Sequence, residues 1–251
     1  MKRQFSGGTM LRLLAGLVLL VAVFSPLGGG VANADAHKNG QELVDKAEVT
    51  FANFATDGKR GAGIRALTPR AKAVLIFPQV LRAAFLFGAA GGNGVLVVHP
   101  EQKQSWIGPA FYTMGEVSFG FQAGGEAAEV ALLIMTERGI AALLSTSAKL
   151  GVNANVAAGP YGAGGEVATE NLSADIISYV RPVGLYGGLS LNGAVIATRD
   201  KLNSAYYGKP VKPVDIFIRQ TVTNPQADHL LQAVAEVASV KQASAKEAST
   251  K

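Results

Sequence analysis

A run of alternating side chains between residues 106 and 122 constrains this chain more than any other feature. Phe111 and Val117 fall on one side of a ribbon with a period of two residues, whereas Glu116 falls on the other. This alternation is typical of an antiparallel strand with one face in a core and the other toward water. Glycines on both faces, Gly115 among them, indicate a strand that bends or lets a neighbour approach closely. The sequence therefore predicts a central strand in a curved sheet.

Other apolar and alternating runs predict the remaining strands, and amphipathic segments predict helices. The predicted strands are 73–77, 83–90, 95–99, 127–135, 149–159, 176–180, 183–191 and 194–198, and the predicted helices are 39–55, 136–144, 200–207 and 224–237. Pro78 is expected to end the first strand, and residues 91–94 to form a hairpin turn. The mixture predicts an α+β fold, in which short helices pack on a curved, largely antiparallel, glycine-rich sheet.

The N-terminus has the three parts of an export signal. Lys2 and Arg3 form a basic start, 15 mainly apolar residues follow at 10–24, and Ala32-Asn33-Ala34 matches a small-residue cleavage site. An apolar helix needs roughly 20 residues to cross a bilayer, so this length favours a cleaved signal over a retained anchor. We therefore expect an exported protein that is periplasmic or associated with the cell envelope.

Composition limits the possible functions of the mature chain. The predicted division is a signal peptide at 1–34, a single domain at 35–240 and a disordered polar tail at 241–251. The chain has no cysteine, which excludes disulfides, thiol catalysis and thiolate metal sites. Without the leader, 20 basic residues face 18 acidic residues. Nucleic-acid binders usually carry a larger and more clustered basic excess, so nucleic acid is not an expected partner. No cofactor or metal site is predicted.

Basic residues are concentrated between Asp57 and Arg82, where Asp57 is the single acid. They are Lys59, Arg60, Arg65, Arg70, Lys72 and Arg82. Each cation near an anionic lipid surface contributes about 1 kcal/mol to binding. The segment is therefore a candidate lipid-binding site, and an ordinary solvated loop is the alternative.

The helix before this segment ends its apolar stripe with Phe51 and Phe54. Both residues are candidate lipid contacts if the helix lies on a membrane surface. Packing of the stripe on the sheet is the favoured alternative, because the polar side of the helix mixes acids such as Glu42 and Asp45 with Lys46. Interfacial helices are usually rich in lysine and arginine on that side.

An envelope hydrolase is a weaker alternative. His37 lies in a start that is expected to be disordered, and His99 and His229 are isolated in the pattern. Neither clustered carboxylates nor a G-x-S-x-G motif accompany them. We therefore assign no catalytic residue and do not predict an enzyme.

Six short segments together resemble the SYLF domain, a lipid-binding module of bacteria and eukaryotes. They are AKAVLIFP at 71–78, GVL at 94–96, WIGP at 106–109, KLGVNANVAAGP at 149–160, SYVRPVGLYGGLSLNG at 178–193 and NSAYYG at 203–208. The segments keep the order of the family, and the resemblance covers roughly residues 41–218. Val180 and Pro182 depart from the small polar residues that many members carry beside the position of Arg181.

The resemblance implies a mixed fold of helices and sheet. It also implies binding of phosphoinositides or other anionic lipids in eukaryotic members, through an N-terminal part that corresponds here to residues 43–82. Some members also bind actin, but the leader directs this chain away from cytoplasmic actin, so actin binding is not expected. The sequence thus predicts an exported, non-catalytic module that associates with anionic lipid or phospholipid headgroups at the cell envelope. The alternative is a structural or protein-interaction module of the envelope without lipid specificity.

Processing after Ala34 is the first testable expectation. Protein isolated from the cell envelope should begin at Asp35, because the small residues Ala32 and Ala34 fit the cleavage site of an export signal. Intact-mass spectrometry measures this directly. If most molecules still contain Met1 to Ala34, the N-terminal apolar stretch is an anchor and not a cleaved signal.

Overall fold

An eight-stranded mixed sheet with six α-helices forms the described part of the protein. The computed structural model describes residues 29–84, 87–103, 105–119, 124–160, 173–183 and 191–248. The strands are β1 (Ala73–Ala84), β2 (Phe87–Val98), β3 (Ile107–Phe119), β4 (Gly124–Ile134), β5 (Ser147–Lys149), β6 (Val156–Ala158), β7 (Ile176–Val183) and β8 (Val195–Thr198). The helices are α1 (Gly29–Thr56), α2 (Gly61–Leu67), α3 (Glu137–Leu144), α4 (Asp200–Tyr207), α5 (Pro213–Phe217) and α6 (Asp228–Ala248).

The strands lie in the order β5-β8-β3-β2-β1-β4-β7-β6, and each neighbouring pair is antiparallel except β6 and β7. Two short 3-10 helices, Thr68–Arg70 and Pro225–Ala227, precede β1 and α6. This arrangement confirms the predicted α+β class with a largely antiparallel sheet.

Polar side chains and a glycine set several helix ends where the sequence predicts them. The Thr136 hydroxyl accepts a hydrogen bond from the Gly139 N–H at 3.1 Å and begins α3. The Asn224 carboxamide accepts one from the Gln226 N–H at 3.0 Å before α6. Gly208 ends α4 in the left-handed region, at a φ of 69°. Each device satisfies backbone groups that a helix end would otherwise leave unpaired.

The two outer helices run further than the sequence predicts. α6 continues to Ala248, so helical structure extends into the segment predicted as a polar tail from residue 241. α1 begins upstream of the predicted cleavage site, and processing after Ala34 would leave the rest of this helix in the mature chain. The apolar stretch of the predicted leader lies outside the described residues.

Both faces of the sheet are buried where β1 begins. Val74 and Ile76 belong to a core with α1, α2 and α6, and we call this side of the sheet the α1 face. Leu75 and Phe77 belong to a second core with Leu143 of α3, and we call this side the α3 face. A strand that is apolar at every position fits such a place, because neither of its faces meets water.

β3 is an antiparallel strand as predicted, but the first half of the strand is buried on both faces and not on one. Phe111 is buried on the α1 face, and Tyr112 and Met114 are buried on the α3 face. The Tyr112 hydroxyl donates to the Leu143 carbonyl at 2.8 Å, which satisfies this polar group inside the core. Exposure to water begins at Gly115. The prediction of one wet face was wrong here because helices cover both sides. β1 and β2, rather than β3, occupy the middle of the sheet.

Residues 91–94 lie inside β2 and form no turn, so the predicted hairpin at this position is wrong. A Cβ at Gly92 would lie 2.4 Å from the Gln79 carbonyl oxygen, and a Cβ at Gly94 would lie 2.6 Å from the Phe77 ring. Any larger residue would therefore force β1 and β2 apart. These glycines serve close packing within the sheet.

Two predicted strand boundaries also differ from the structure. β1 does not end at Pro78 but continues through it, and its pairing with β2 shifts register between Ile76 and Gln79. Such a bulge accommodates a residue that cannot donate to the ladder. The predicted strand 149–159 is not continuous. It contains the end of β5, a turn at 151–153 and then β6.

Tyr179 on β7 is held between two glycines. A Cβ at Gly159 would lie 2.2 Å from the ring carbon Cζ of Tyr179, and a Cβ at Gly63 would lie 2.4 Å from its hydroxyl oxygen. The Tyr179 side chain is fully buried in the core of the α1 face. The ring therefore fixes how closely α2 and the segment after β6 approach the sheet.

Gly159→Ala should lower the free energy of unfolding by about 1–3 kcal/mol or more, because the new methyl group overlaps a ring that has no room to move. Gly115→Ala is the matched control, since a Cβ there meets no atom within 4 Å. Its effect should stay within about 0.5 kcal/mol. Chemical denaturation measures both values, and equal midpoints for the two variants would contradict this account of Tyr179.

Candidate functional site

The turn between α1 and α2 holds the first cations of the basic segment. The Asp57 carboxylate accepts hydrogen bonds from the backbone N–H groups of Lys59 and Arg60, both at 2.8 Å. Arg60 donates from Nε to the Val180 carbonyl at 2.9 Å and forms an ion pair with Asp57 at 3.3 Å. Burial acts to raise the pKa of Asp57, but the hydrogen bonds from Arg60 and Lys59 outweigh it and lower the pKa. Arg60 thus has structural contacts, whereas the Lys59 side chain is exposed.

Two further cations of the segment are also engaged by the protein. Arg65 donates from Nη1 to the Ala55 carbonyl near the end of α1. Lys72 forms ion pairs with Glu101 and with Glu137, and its Nζ lies 2.7 Å from Glu137 Oε1. Hydrogen bonds to these two carboxylates raise the pKa of Lys72. Because two acids face one cation, the surroundings of Lys72 carry no positive excess.

Although Arg65 is exposed as well, it donates to the Ala55 carbonyl, so Lys59 and Arg70 are the two cations of the segment that are open to a ligand. Both side chains are exposed, and neither forms an ion pair within the described part of the chain. Arg70 ends the 3-10 helix that begins at Thr68, whose hydroxyl donates to the Ile64 carbonyl at 2.7 Å. The two cations therefore lie on a well-defined corner formed by α2 and the turns on either side of it.

Arg82 lies apart from the other cations. It lies ten positions after Lys72 in the chain, which corresponds to roughly 33 Å at about 3.3 Å per residue of strand. Arg82 is opposite Glu126 on β4 and opposite Ala90 on β2, which in turn is opposite Glu116 on β3. Burial raises the pKa of Glu116, and the charge of Arg82 opposes this effect. The structure thus places Arg82 among acids on the α3 face, away from the proposed lipid contacts.

Phe51 and Phe54 are core residues. Both side chains are 0% exposed and belong to the core of the α1 face. The Arg181 guanidinium lies 5.9 Å from the centre of the Phe54 ring, and Arg181 also pairs with Glu129. The predicted role of the two phenylalanines in membrane insertion does not hold in this structure, and packing of the helix on the sheet is confirmed.

A cleft of about 320 Å³ lies between α1 and the sheet and was not predicted from the sequence. Its polar lining consists of Asn39, Glu42, Lys46, Gln79, Asn93 and Arg199. The three α1 residues have the spacing i, i+3 and i+7, which places them along one side of a helix. This spacing was the only feature of the sequence that could have indicated the cleft. Arg199 comes from a distant part of the chain, before α4. None of these six side chains forms a hydrogen bond or ion pair with another described residue.

Beyond this cleft, the α1 face of the sheet is uncovered and apolar. Leu81, Val117, Val183 and Val195 are between 41% and 73% exposed. The strand register places Leu81, Val183 and Val195 in one row across the sheet, with Gly91 between Leu81 and the strands toward β8. Single exposed apolar residues are ordinary, but a contiguous group on one sheet face marks an interaction surface.

Two of the three histidines make contacts with aromatic rings. The His37 ring stacks on Tyr206 at 5.7 Å, and the His99 ring lies 5.2 Å from that of Trp106. His37 therefore lies on α1 in an ordered contact, and the prediction of a disordered start at this position is wrong. Among the described residues, no group of three acids or histidines could hold a metal ion. No helix in the same part of the chain is long and apolar enough to cross a membrane.

Comparison with known proteins identifies similar chains. Residues 115–237 match the family "Ysc84: Las17-binding protein actin regulator". The chain is 31% identical to the SH3 domain-containing YSC84-like protein 1 of Pongo abelii, over 65% of this chain and 48% of the relative. It is 30% identical to Protein YSC84 of Saccharomyces cerevisiae, over 65% of this chain and 35% of the relative. The chain thus spans half or less of the length of these curated relatives.

Phe51→Ala should lower the free energy of unfolding by about 3–5 kcal/mol, because it removes a fully buried ring and leaves a cavity. Val49→Ala is the control on the same helix, since Val49 is 59% exposed. Its effect should stay within about 0.5 kcal/mol. Thermal or chemical unfolding compares the two, and a stable Phe51→Ala protein would mean that the ring is available for insertion after all.

Proposed function

Because the chain belongs to the SYLF (Ysc84) domain family, we propose that it is a non-catalytic binding module for anionic lipid or phospholipid headgroups at the cell envelope. The description of the matched family, a Las17-binding actin regulator, is that of a binding protein. The leader-like N-terminus supports an exported location. The proposal that the ligand is a lipid rests on the resemblance and on the charges of the described surface.

The observation that carries the proposal is the exposed corner with Lys59 and Arg70. Both cations are open to solvent and unpaired among the described residues. Anionic headgroups would find no competing acid on these two side chains, whereas Lys72 already faces Glu101 and Glu137. The proposed contact is therefore narrower than the basic segment as a whole.

Electrostatic binding of this kind has a definite salt dependence. Charges at an exposed surface are screened beyond about 8–10 Å at physiological ionic strength. Binding through Lys59 and Arg70 must therefore weaken as salt increases. Phe51 and Phe54 are buried and cannot add a salt-resistant contribution by insertion. Any binding that persists at high salt requires a different apolar surface.

Lys59→Glu combined with Arg70→Glu should weaken binding to vesicles of phosphatidylglycerol and phosphatidylcholine by about 30-fold or more at low salt. This corresponds to a loss of about 1 kcal/mol for each cation near the lipid surface. Vesicle co-sedimentation over a salt series measures the effect.

Lys201→Glu combined with Lys209→Glu is the matched control, because it changes the net charge equally at two exposed lysines elsewhere. Wild-type affinity of the Lys59/Arg70 variant would rule out this corner as the lipid site. If the wild-type protein itself does not bind anionic vesicles, the lipid proposal fails. A structural or protein-interaction module, in line with the family of Las17-binding actin regulators that the chain matches, is then the better account.

A further inference from the structure

We propose that the cleft beside α1 and the uncovered rows of the sheet next to it form one binding site for a single anionic phospholipid. The phosphate occupies the cleft, and the acyl chains lie on the sheet. This inference rests on the proposed function for the class of ligand, but it uses residues that are separate from Lys59 and Arg70.

The cleft has the charge and the free hydrogen-bonding groups that a phosphate diester needs. Lys46 on α1 and Arg199 before α4 supply two cations, and Glu42 supplies one acid. The resulting charge of +1 matches the single negative charge of a phosphate diester. Asn93 and Gln79 add carboxamide donors from the floor of the cleft. Since none of these side chains has a partner within the described residues, a ligand need not displace any internal contact.

The register of the strands connects this polar floor to an apolar surface. Gln79 on β1 is opposite Asn93 on β2, and two residues further along the same face Leu81 is opposite Gly91. Side chains two residues apart on a strand share a face and lie about 7 Å from each other. The change from hydrogen-bonding to apolar side chains therefore takes place within a single step along the sheet.

The uncovered rows have the form of a shallow trough. In the first row, Val195 and Leu81 flank Gly115 and Gly91. A Cβ at Gly115 would meet no atom within 4 Å, so the space above this glycine is open. The next row on the same face, which passes through Val117, has small residues on the neighbouring strands. These are Ala83, Ala89 and Gly125. Larger apolar side chains at the sides and glycines or alanines between them suit a flexible acyl chain.

An amphiphile fits this combination better than a protein segment does. A segment that adds to a sheet pairs with an exposed edge, whereas this surface is the face of strands that already pair on both sides. The rows between β8 and β7 offer no side-chain hydrogen-bonding group to a polypeptide at the described positions. Lys149, opposite Val195 on the outer strand β5, adds a cation at the margin. The occupant must be anionic at one end and apolar at the other.

A soluble short-chain lipid tests binding at this site separately from the general attraction between the protein and a charged membrane surface. The probe is dihexanoyl-phosphatidylglycerol below its micelle concentration, added to purified full-length protein in a titration calorimeter. We expect saturation at one lipid per chain. Glycerophosphoglycerol, which is the same phosphate diester without acyl chains, and dihexanoyl-phosphatidylcholine should both bind at least about tenfold more weakly. Equal affinity for glycerophosphoglycerol would overturn the proposal, because it would reduce the site to an anion pocket.

Two sets of variants locate the binding. Lys46→Gln combined with Arg199→Gln should weaken binding of the probe at least about tenfold through the loss of two charge-assisted contacts. Leu81→Asp should weaken it at least about tenfold by placing a charge on the apolar rows. Ile218→Asp is the control for the second change, because Ile218 is 62% exposed and follows α5, which packs in the core of the α3 face. Circular dichroism establishes that each variant is folded. Should Leu81→Asp fail to fold, Val117→Asp tests the same rows.

The outcomes separate this inference from the proposed function. If Lys46/Arg199 and Leu81 variants bind the probe like the wild type, the site is wrong. The vesicle experiment with Lys59 and Arg70 stands independently of that result. Loss of probe binding in the Lys59/Arg70 variant, with no loss in the cleft variants, would likewise overturn the inference. If the wild-type protein binds neither vesicles nor the probe, both the function and the site are wrong.

Discussion

Burial of the sheet on both of its faces is the constraint on which the rest of the structure depends. At the start of β1 every side chain from Val74 to Phe77 enters a core, alternately on the α1 face and on the α3 face. Strands of this composition cannot leave one face to water, so helices must cover both. On the α1 face the cover ends beyond the register shift near Pro78, and the strands there carry glycine and alanine beside the exposed Leu81 and Val117. The same sheet therefore provides both the core and an open surface.

Residues 178–181, which belong to one of the six segments that resemble the SYLF domain, serve this packing. The Ser178 hydroxyl donates to the Ala157 carbonyl at 3.1 Å and ties β7 to β6. Tyr179 fills the space that glycines leave on the α1 face. Arg181 pairs with Glu129 and lies over the Phe54 ring, which attaches α1 to the sheet. A motif of this kind identifies a fold, and the ligand must be sought on surfaces that the motif does not fill.

The sequence predicted correctly those elements that depend on residues close to each other in the chain. The cap at Thr136 and the apolar strand at 127–135 are examples, because a hydroxyl at a helix start and a run of buried residues act on their own neighbours. The glycines at 91–94 were misassigned because their role depends on Phe77 and Gln79, which approach from another strand. The cleft was missed for the same reason, since Arg199 meets α1 only in the folded chain.

The basic residues between Asp57 and Arg82 are close in the sequence but do not form one charged surface in the structure. The basic segment combines an open corner at Lys59 and Arg70 with Arg82, which lies at the opposite end of β1 among acids. The apolar trough lies toward this second end of the strand, around Leu81. Attraction of a membrane surface at the open corner and binding of a single lipid in the cleft and trough would thus use separate parts of the surface. Because apolar burial in the trough is not screened by salt, the two contributions differ in salt dependence and in the residues that control them. A substitution that removes one should leave the other intact, as expected for sites joined by a rigid, doubly covered sheet.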